Sequence, residues 1–232
     1  MTLEELKQRC LDLSLPWDDS FSDKLQTYAS LLKEWNERMN LTSILEPEEI
    51  YEKHFLDSII SAKMANFSDK KVLDIGSGAG FPGMIIALFY PTASVTLLDS
   101  TNKKFLFLEE VKNALGLTNV SFVAGRVEEQ KNLKETFDIT ISRAFANLSV
   151  FLEVAAPLTK GKGSIVALKG KKGEEELHQA QNAIYKLRLR LAQTESLELP
   201  SGDQRILYRF EKKEPTPKRY PRRWAEIMEK PL

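Results

Sequence analysis

Hydrophobic and polar positions follow two different rhythms along the chain. Up to about residue 65 the apolar side chains recur at helical spacing, with Leu25, Tyr28, Leu32, Trp35 and Met39 making one stripe. Asp19, Ser20 or Ser22 suits the start of that helix. Pro47-Glu48-Glu49 predicts a second one running towards Lys63, with proline in the first turn and acids at the positive end of the dipole. From Lys71 short apolar runs alternate with helical patterns. Strands are expected at Lys71–Ile75, Ser94–Asp99, Asn119–Ala124, Phe137–Ser142 and Gly163–Leu168. Helices are expected between and after them at Pro82–Phe89, Lys103–Leu115, Glu128–Leu133, Val150–Leu158 and Glu174–Leu189. Such βα repeats predict a doubly wound α/β fold with a mostly parallel sheet. Glu195–Leu199 and Arg205–Phe210 flank the turn signal Ser201-Gly202-Asp203 and predict an antiparallel hairpin at one edge. The stretch Glu211–Leu232, rich in proline and charge, reads as an extended surface tail. Three regions result: a helical lobe over 1–68, an α/β domain over 69–211 and a basic tail over 212–232.

Composition narrows the class. Hydrophobic residues make up 42% of 232, enough for a sizeable core. No apolar run approaches the roughly 18 residues of a membrane span, and Met1–Cys10 is charged rather than signal-like. The single cysteine, Cys10, rules out an internal disulfide and a cysteine-built zinc site. A monomeric cytoplasmic protein without a metal, a membrane or an obligate protein partner is the expectation. Net charge is zero, yet residues 1–159 carry −7 and residues 160–232 carry +7. A basic end of this kind suits a polyanionic partner.

The strongest chemical signal is Val72-Leu73-Asp74-Ile75-Gly76-Ser77-Gly78-Ala79-Gly80-Phe81-Pro82. An apolar strand runs into three alternate glycines, and a helix follows. Gly76 and Gly78 let a ligand lie against bare main chain, outside the carboxyl ends of the strands. A dinucleotide site wants Gly-x-Gly-x-x-Gly, whereas Phe81 stands at the third position here. Asp74 suits a cationic amino group, which a pyrophosphate does not offer. Asp99, at the end of the second predicted strand, suits the two hydroxyls of a ribose. As a bland alternative, Asp99 caps the next helix.

The pattern Asp74-x-Gly76-x-Gly78-x-Gly80 with Asp99 resembles the first two motifs of class I S-adenosylmethionine methyltransferases. A finer resemblance runs over nearly the whole chain. Trp35-Asn36-x-x-Met39-Asn40-Leu41-Thr42, His54-x-x-Asp57-Ser58, Gly80-Phe81-Pro82-Gly83, Arg126-Val127-Glu128, Ile141-Ser142-Arg143-Ala144 and Ala167-Leu168-Lys169-Gly170 are similar to the bacterial RsmG, or glucose-inhibited division protein B, family. One departure is Trp224–Glu229, which replaces an expected Gly/Pro-rich stretch. The resemblance implies methyl transfer from S-adenosyl-L-methionine to N7 of a guanine in small-subunit (16S) ribosomal RNA. It implies cofactor contacts at Gly76, Phe81, Asp99, Val127, Glu128 and Arg143, with Arg143 lining the transfer site as the catalytic candidate. Phe81 reads equally as core, Glu128 as a first-turn acid, and Arg143 as a buried structural charge.

The chemistry of the absent residues agrees. No Asp/Asn-Pro-Pro-Tyr follows the fourth strand, and Cys10 lies far from it, which argues against exocyclic-amine and C5-cytosine methylation. Guanine N7 has a free lone pair at neutral pH and needs no general base. Lys169, Arg222 and Arg223, with Lys171, Lys172, Lys218 and Arg219, are candidates for RNA phosphates, and Tyr220 and Trp224 for stacking. His54 and Asp57, three apart on one helix face, are expected to pair with each other.

Overall fold

A computed structural model describes residues 1–232. Seven strands form one sheet in the order β3-β2-β1-β4-β5-β7-β6. They are β1 (Lys71–Ile75), β2 (Ser94–Asp99), β3 (Val120–Ala124), β4 (Phe137–Arg143), β5 (Thr159–Lys169), β6 (Leu189–Glu198) and β7 (Gln204–Lys212). The first five pair in parallel; β7 runs antiparallel to both β5 and β6. Successive strands step outwards from β1 in one direction and from β4 in the other. The sheet therefore has its switch point between β1 and β4, where ligands of such sheets bind.

Side chains alternate between the two faces of a strand, and the core divides accordingly. Val72 joins a cluster of 38 buried residues, while Leu73 and Ile75 join a second cluster of 24 on the opposite face. The first cluster also holds Leu6, Leu25, Tyr28 and Phe55, so the N-terminal helices share a core with β1, β2 and the helices Gly83–Phe89 and Lys104–Ala114. The second holds the helix Leu148–Ala155 together with Tyr220 and Ile227 from the C-terminal segment.

Several elements differ from expectation. The predicted helix from Pro47 to Lys63 is helical throughout but changes pitch. Pro47–Ile50 is α-helical, Tyr51–Leu56 π-helical, Asp57–Ile59 α-helical and Ile60–Lys63 a 3-10 turn. Wide turns of this kind collect at functional sites. Glu128–Leu133 is two short 3-10 turns, Val127–Glu129 and Lys131–Leu133. The single helix expected over Glu174–Leu189 is two, Gly173–Gln179 and Gln181–Lys186, broken at Ala180 (φ −83°, ψ 1°), and the second stops short because β6 begins at Leu189. The tail is not extended. Trp224–Glu229 is a helix whose Ile227 is fully buried, and apolar burial holds it to the domain.

Candidate functional site

β1 ends in a loop that β2 holds in place. Gly76 and Ser77 donate their N–H groups to the Leu98 carbonyl at 2.8 and 3.2 Å. The Gly78 N–H donates to Asp99 Oδ2 at 3.0 Å. Gly78 has φ +57°, and a β-carbon there would have nothing nearer than the Gly76 carbonyl at 4.0 Å. The loop thus presents bare main chain to open space. Beside it lies a cavity of about 380 Å³, a size suited to a small molecule. Gly76 and Leu98 to Thr101 form one side, Gly125 to Glu128 another, and Ala144, Phe145 and Trp224 a third. The Asp99 carboxylate on its wall also accepts from the Thr101 N–H at 2.8 Å and the Lys104 ammonium at 3.0 Å. Asp99 does not cap the next helix, whose N-cap is Lys103; its bond to Thr101 closes a local turn, and an ammonium on a flexible stem can yield to a ligand hydroxyl.

Arg143 ends β4 and turns away from this cavity. Its Nη1 donates to the Lys53 carbonyl at 2.7 Å and to Asp57 Oδ2 at 3.2 Å, and its Nη2 donates to His54 Nδ1 at 3.1 Å. Arginine only donates, so His54 Nδ1 is the acceptor and its Nε2–H faces the Thr42 hydroxyl at 2.9 Å. Burial, and then the Arg143 charge, pull the imidazole pKa from 6.5 down to about 3. His54 is therefore neutral at ordinary pH and cannot serve as a proton donor by way of an imidazolium. The other Asp57 oxygen accepts from Arg205 Nε at 2.8 Å. One carboxylate, 3% exposed, thereby clamps two guanidinium groups. His54 and Asp57 are not partners of each other; each sits on Arg143.

This cluster lines a second cavity of about 650 Å³ with Lys53, Asn147 and Lys169. Ala144 lines both cavities. It adopts φ +54°, a left-handed conformation that is uncommon for a side chain with a β-carbon and that turns the chain sharply after β4. The two cavities thus share Ala144, just past the carboxyl end of β4, as a lining residue.

Comparison with known proteins agrees with this geometry. The family profile described as rRNA small subunit methyltransferase G matches residues 22–207. A ribosomal RNA small subunit methyltransferase G of Clostridium perfringens is 42% identical, over 98% of this chain and 97% of its own. The protein of that name from Lactococcus lactis subsp. cremoris is 39% identical over the full length of both. This chain belongs to the rRNA small subunit methyltransferase G family. In fold it matches a SAM-dependent methyltransferase from Aquifex aeolicus, with a TM-score of 0.58 and 16% identity over 79% of this chain and 98% of the other. It also matches M. jannaschii TYW2 in complex with AdoMet, with a TM-score of 0.55 and 18% identity over 68% of this chain and 75% of the other.

Within this member of the methyltransferase G family the expected site residues separate. Gly76, Asp99, Val127 and Glu128 line the smaller cavity, and Gly78 is tied to it through Asp99. Asp74 does not line it. It shares the strand face of Val72, is fully buried towards the helical lobe, and accepts from the Gly83 N–H at 2.8 Å. Phe81 also faces that lobe. It stacks on His54 at 4.7 Å and Tyr28 at 5.1 Å, with the Arg143 guanidinium 5.3 Å from its ring centre. It packs against the Arg143 cluster and does not line the smaller cavity. Arg143 belongs to the larger cavity.

Two of the three RNA candidates are already engaged. Lys169 is 8% exposed and pairs with Glu176 at 2.8 Å and with the Ala146 carbonyl. Arg222 holds the fully buried Glu153 with Nε at 2.8 Å and Nη2 at 2.7 Å. Arg223 is exposed and pairs only with its neighbour Glu226. Tyr220 is buried and so cannot stack on RNA. No sequence pattern singled out Thr101, Lys104, Phe145 or Arg205. Trp224, expected to stack on RNA, is half-buried and lines the smaller cavity.

Proposed function

We propose that this protein transfers the methyl group of S-adenosylmethionine to N7 of a guanine in small-subunit ribosomal RNA, with the cofactor in the smaller cavity and the guanine in the larger. The observation that carries this reading is that one residue, Ala144, lines both cavities. The donor set of the smaller cavity fits the cofactor. Bare main chain at Gly78 admits close approach, Gly76 lines the cavity beneath Phe145, Asp99 accepts from ribose hydroxyls, and Val127 and Glu128 offer an apolar face and an acceptor to the adenine. When bound, S-adenosylmethionine supplies a methyl group on a positively charged sulfur.

The protein's part is then orientation and exclusion of water. Arg143 keeps its Nε–H and one Nη2–H without a protein partner, and these suit the O6 edge of guanine. Asp57, His54 and the Lys53 carbonyl fix the plane of the guanidinium. Arginine is a poor stabiliser of the cationic product, so its role is alignment. Loss of alignment costs about a hundredfold in rate. Lys171, Lys172, Lys218, Arg219 and Arg223 are among the exposed cations and are the ones we assign to phosphates. The target nucleotide must be unstacked, since N7 lies in the narrow major groove of paired RNA. A ribosomal RNA substrate would place the protein in the cytoplasm, and we propose that it acts there as a monomer; no helix is long and apolar enough to cross a membrane.

The decisive experiment incubates the protein with labelled cofactor and small subunits from a strain lacking the gene, then maps the modified base. One 7-methylguanine is expected. Arg143→Ala should lower the single-turnover rate about a hundredfold with little change in cofactor affinity. Arg143→Lys should rescue little, because a point charge does not replace a planar fork. Label on any other atom, or full-rate transfer by Arg143→Ala, would overturn the assignment.

A further inference from the structure

The C-terminal segment meets the smaller cavity as well as the solvent. Trp224, half-buried, lines it, and its ring lies 6.2 Å from that of Phe145 at 59°. Phe145 in turn rests on the glycine loop, so closely that a β-carbon at Gly76 would lie 2.5 Å from its Cδ2. Trp224 is placed by a rigid anchor. Two residues earlier, Arg222 binds Glu153 through its backbone N–H, Nε and Nη2, and its Nη1 reaches the Lys230 carbonyl. Ile227, three residues later, is fully buried against the same core. A surface tail needs none of this.

We propose that Trp224 is a cofactor-binding residue, forming with Phe145 an aromatic wall of the S-adenosylmethionine cavity, and that Arg222 is the positioning residue that holds it there. The ligand class fits such a wall. A purine offers a face for stacking, and a sulfonium is a cation that aromatic faces attract. The C-terminal segment is then part of cofactor binding, not only of RNA binding. This rests on the assignment of the smaller cavity to the cofactor.

Intrinsic tryptophan emission tests it, read during titration with S-adenosylhomocysteine. Trp17 packs on Phe21 and Phe89, and Trp35 bonds to Glu110; neither lines the cavity. A saturable emission change is expected in the wild type. Trp224→Phe should keep the affinity to about twofold, since one aromatic face replaces another, yet lose the emission change. Trp224→Ala should bind about three- to tenfold more weakly by calorimetry, as loss of an aromatic contact predicts. Arg222→Ala should weaken binding comparably, and it decides the matter if Trp224→Ala does not fold. Wild-type affinity in both Ala variants, or a retained emission change in Trp224→Phe, overturns the proposal while leaving the cofactor cavity intact. No binding to the wild type overturns the cavity assignment itself.

Discussion

Asp74 and His54 are buried on the same side of β1 and push stability in opposite directions as pH changes. Burial raises the Asp74 carboxyl from 3.8 to about 7; the Gly83 N–H and Arg143 work against that rise, and Asp99 adds to it. An acid with a raised folded pKa holds its proton better in the native state. Its stabilising contribution is full below 3.8 and is lost as pH rises through about 7. His54, lowered from 6.5 to about 3, behaves inversely, with its contribution full above 6.5 and lost as pH falls. Between about pH 4 and 6.5 the two slopes oppose each other, and the wild-type profile is flatter than either alone. Asp74→Asn keeps an acceptor for Gly83 but cannot ionise. In urea denaturation it should gain on the wild type by about 2 kcal/mol more at pH 8 than at pH 5. An equal difference at both pH values would show that Asp74 titrates normally in the fold.

Among the elements, the most regular ones were legible in the sequence. The βα alternation located all five parallel strands, and the glycine run located the loop at the switch point, because both are encoded by neighbouring residues. What stayed hidden depends on residues far apart in the chain. Strand periodicity put Asp74 on the face opposite Leu73, but nothing local said which face the cofactor cavity would favour. Arg222 and Lys169 looked like free cations because their partners, Glu153 and Glu176, lie on other elements. The π turn at Tyr51–Leu56 carries no sequence mark either, yet it contains Lys53 and His54, two of the three groups that hold Arg143. Two predictions belong here. Gly78→Val strains a φ of +57° and puts a side chain into the open space above the loop, so cofactor binding measured by calorimetry should be lost in a folded protein. Arg222→Ala leaves Glu153 buried without its cation. It should lower unfolding stability by about 2–3 kcal/mol, below the range for a fully buried pair because the guanidinium is partly solvated. A denaturation midpoint equal to that of the wild type would mean that the pair contributes nothing net.

At the scale of the whole molecule, charge and packing divide the work of binding. The helical lobe shares a core with the sheet, and Tyr28 in it donates to the Ala79 carbonyl of the glycine loop at 2.6 Å. Lobe and loop are therefore joined by shared packing and by this bond. The +7 charge of residues 160–232 suits the proposed attraction of RNA, but not through every cation in it. Lys169, Lys212 and Arg222 are spent on internal carboxylates. Lys171 and Lys172 form no ion pair, and Arg223 is 87% exposed. Only cations that release counterions from RNA contribute to the salt dependence of binding, by about 0.7–0.9 per phosphate contact. Lys171→Ala, Lys172→Ala and Arg223→Ala combined should make the plot of log affinity against log salt shallower by about 2. The measurement uses small subunits with S-adenosylhomocysteine present. Lys169→Ala, by contrast, breaks an internal pair and should lower the melting temperature while leaving that slope alone. A triple variant with the wild-type slope would move the RNA surface elsewhere, to Lys218 and Arg219 first, two adjacent exposed cations that form no ion pair.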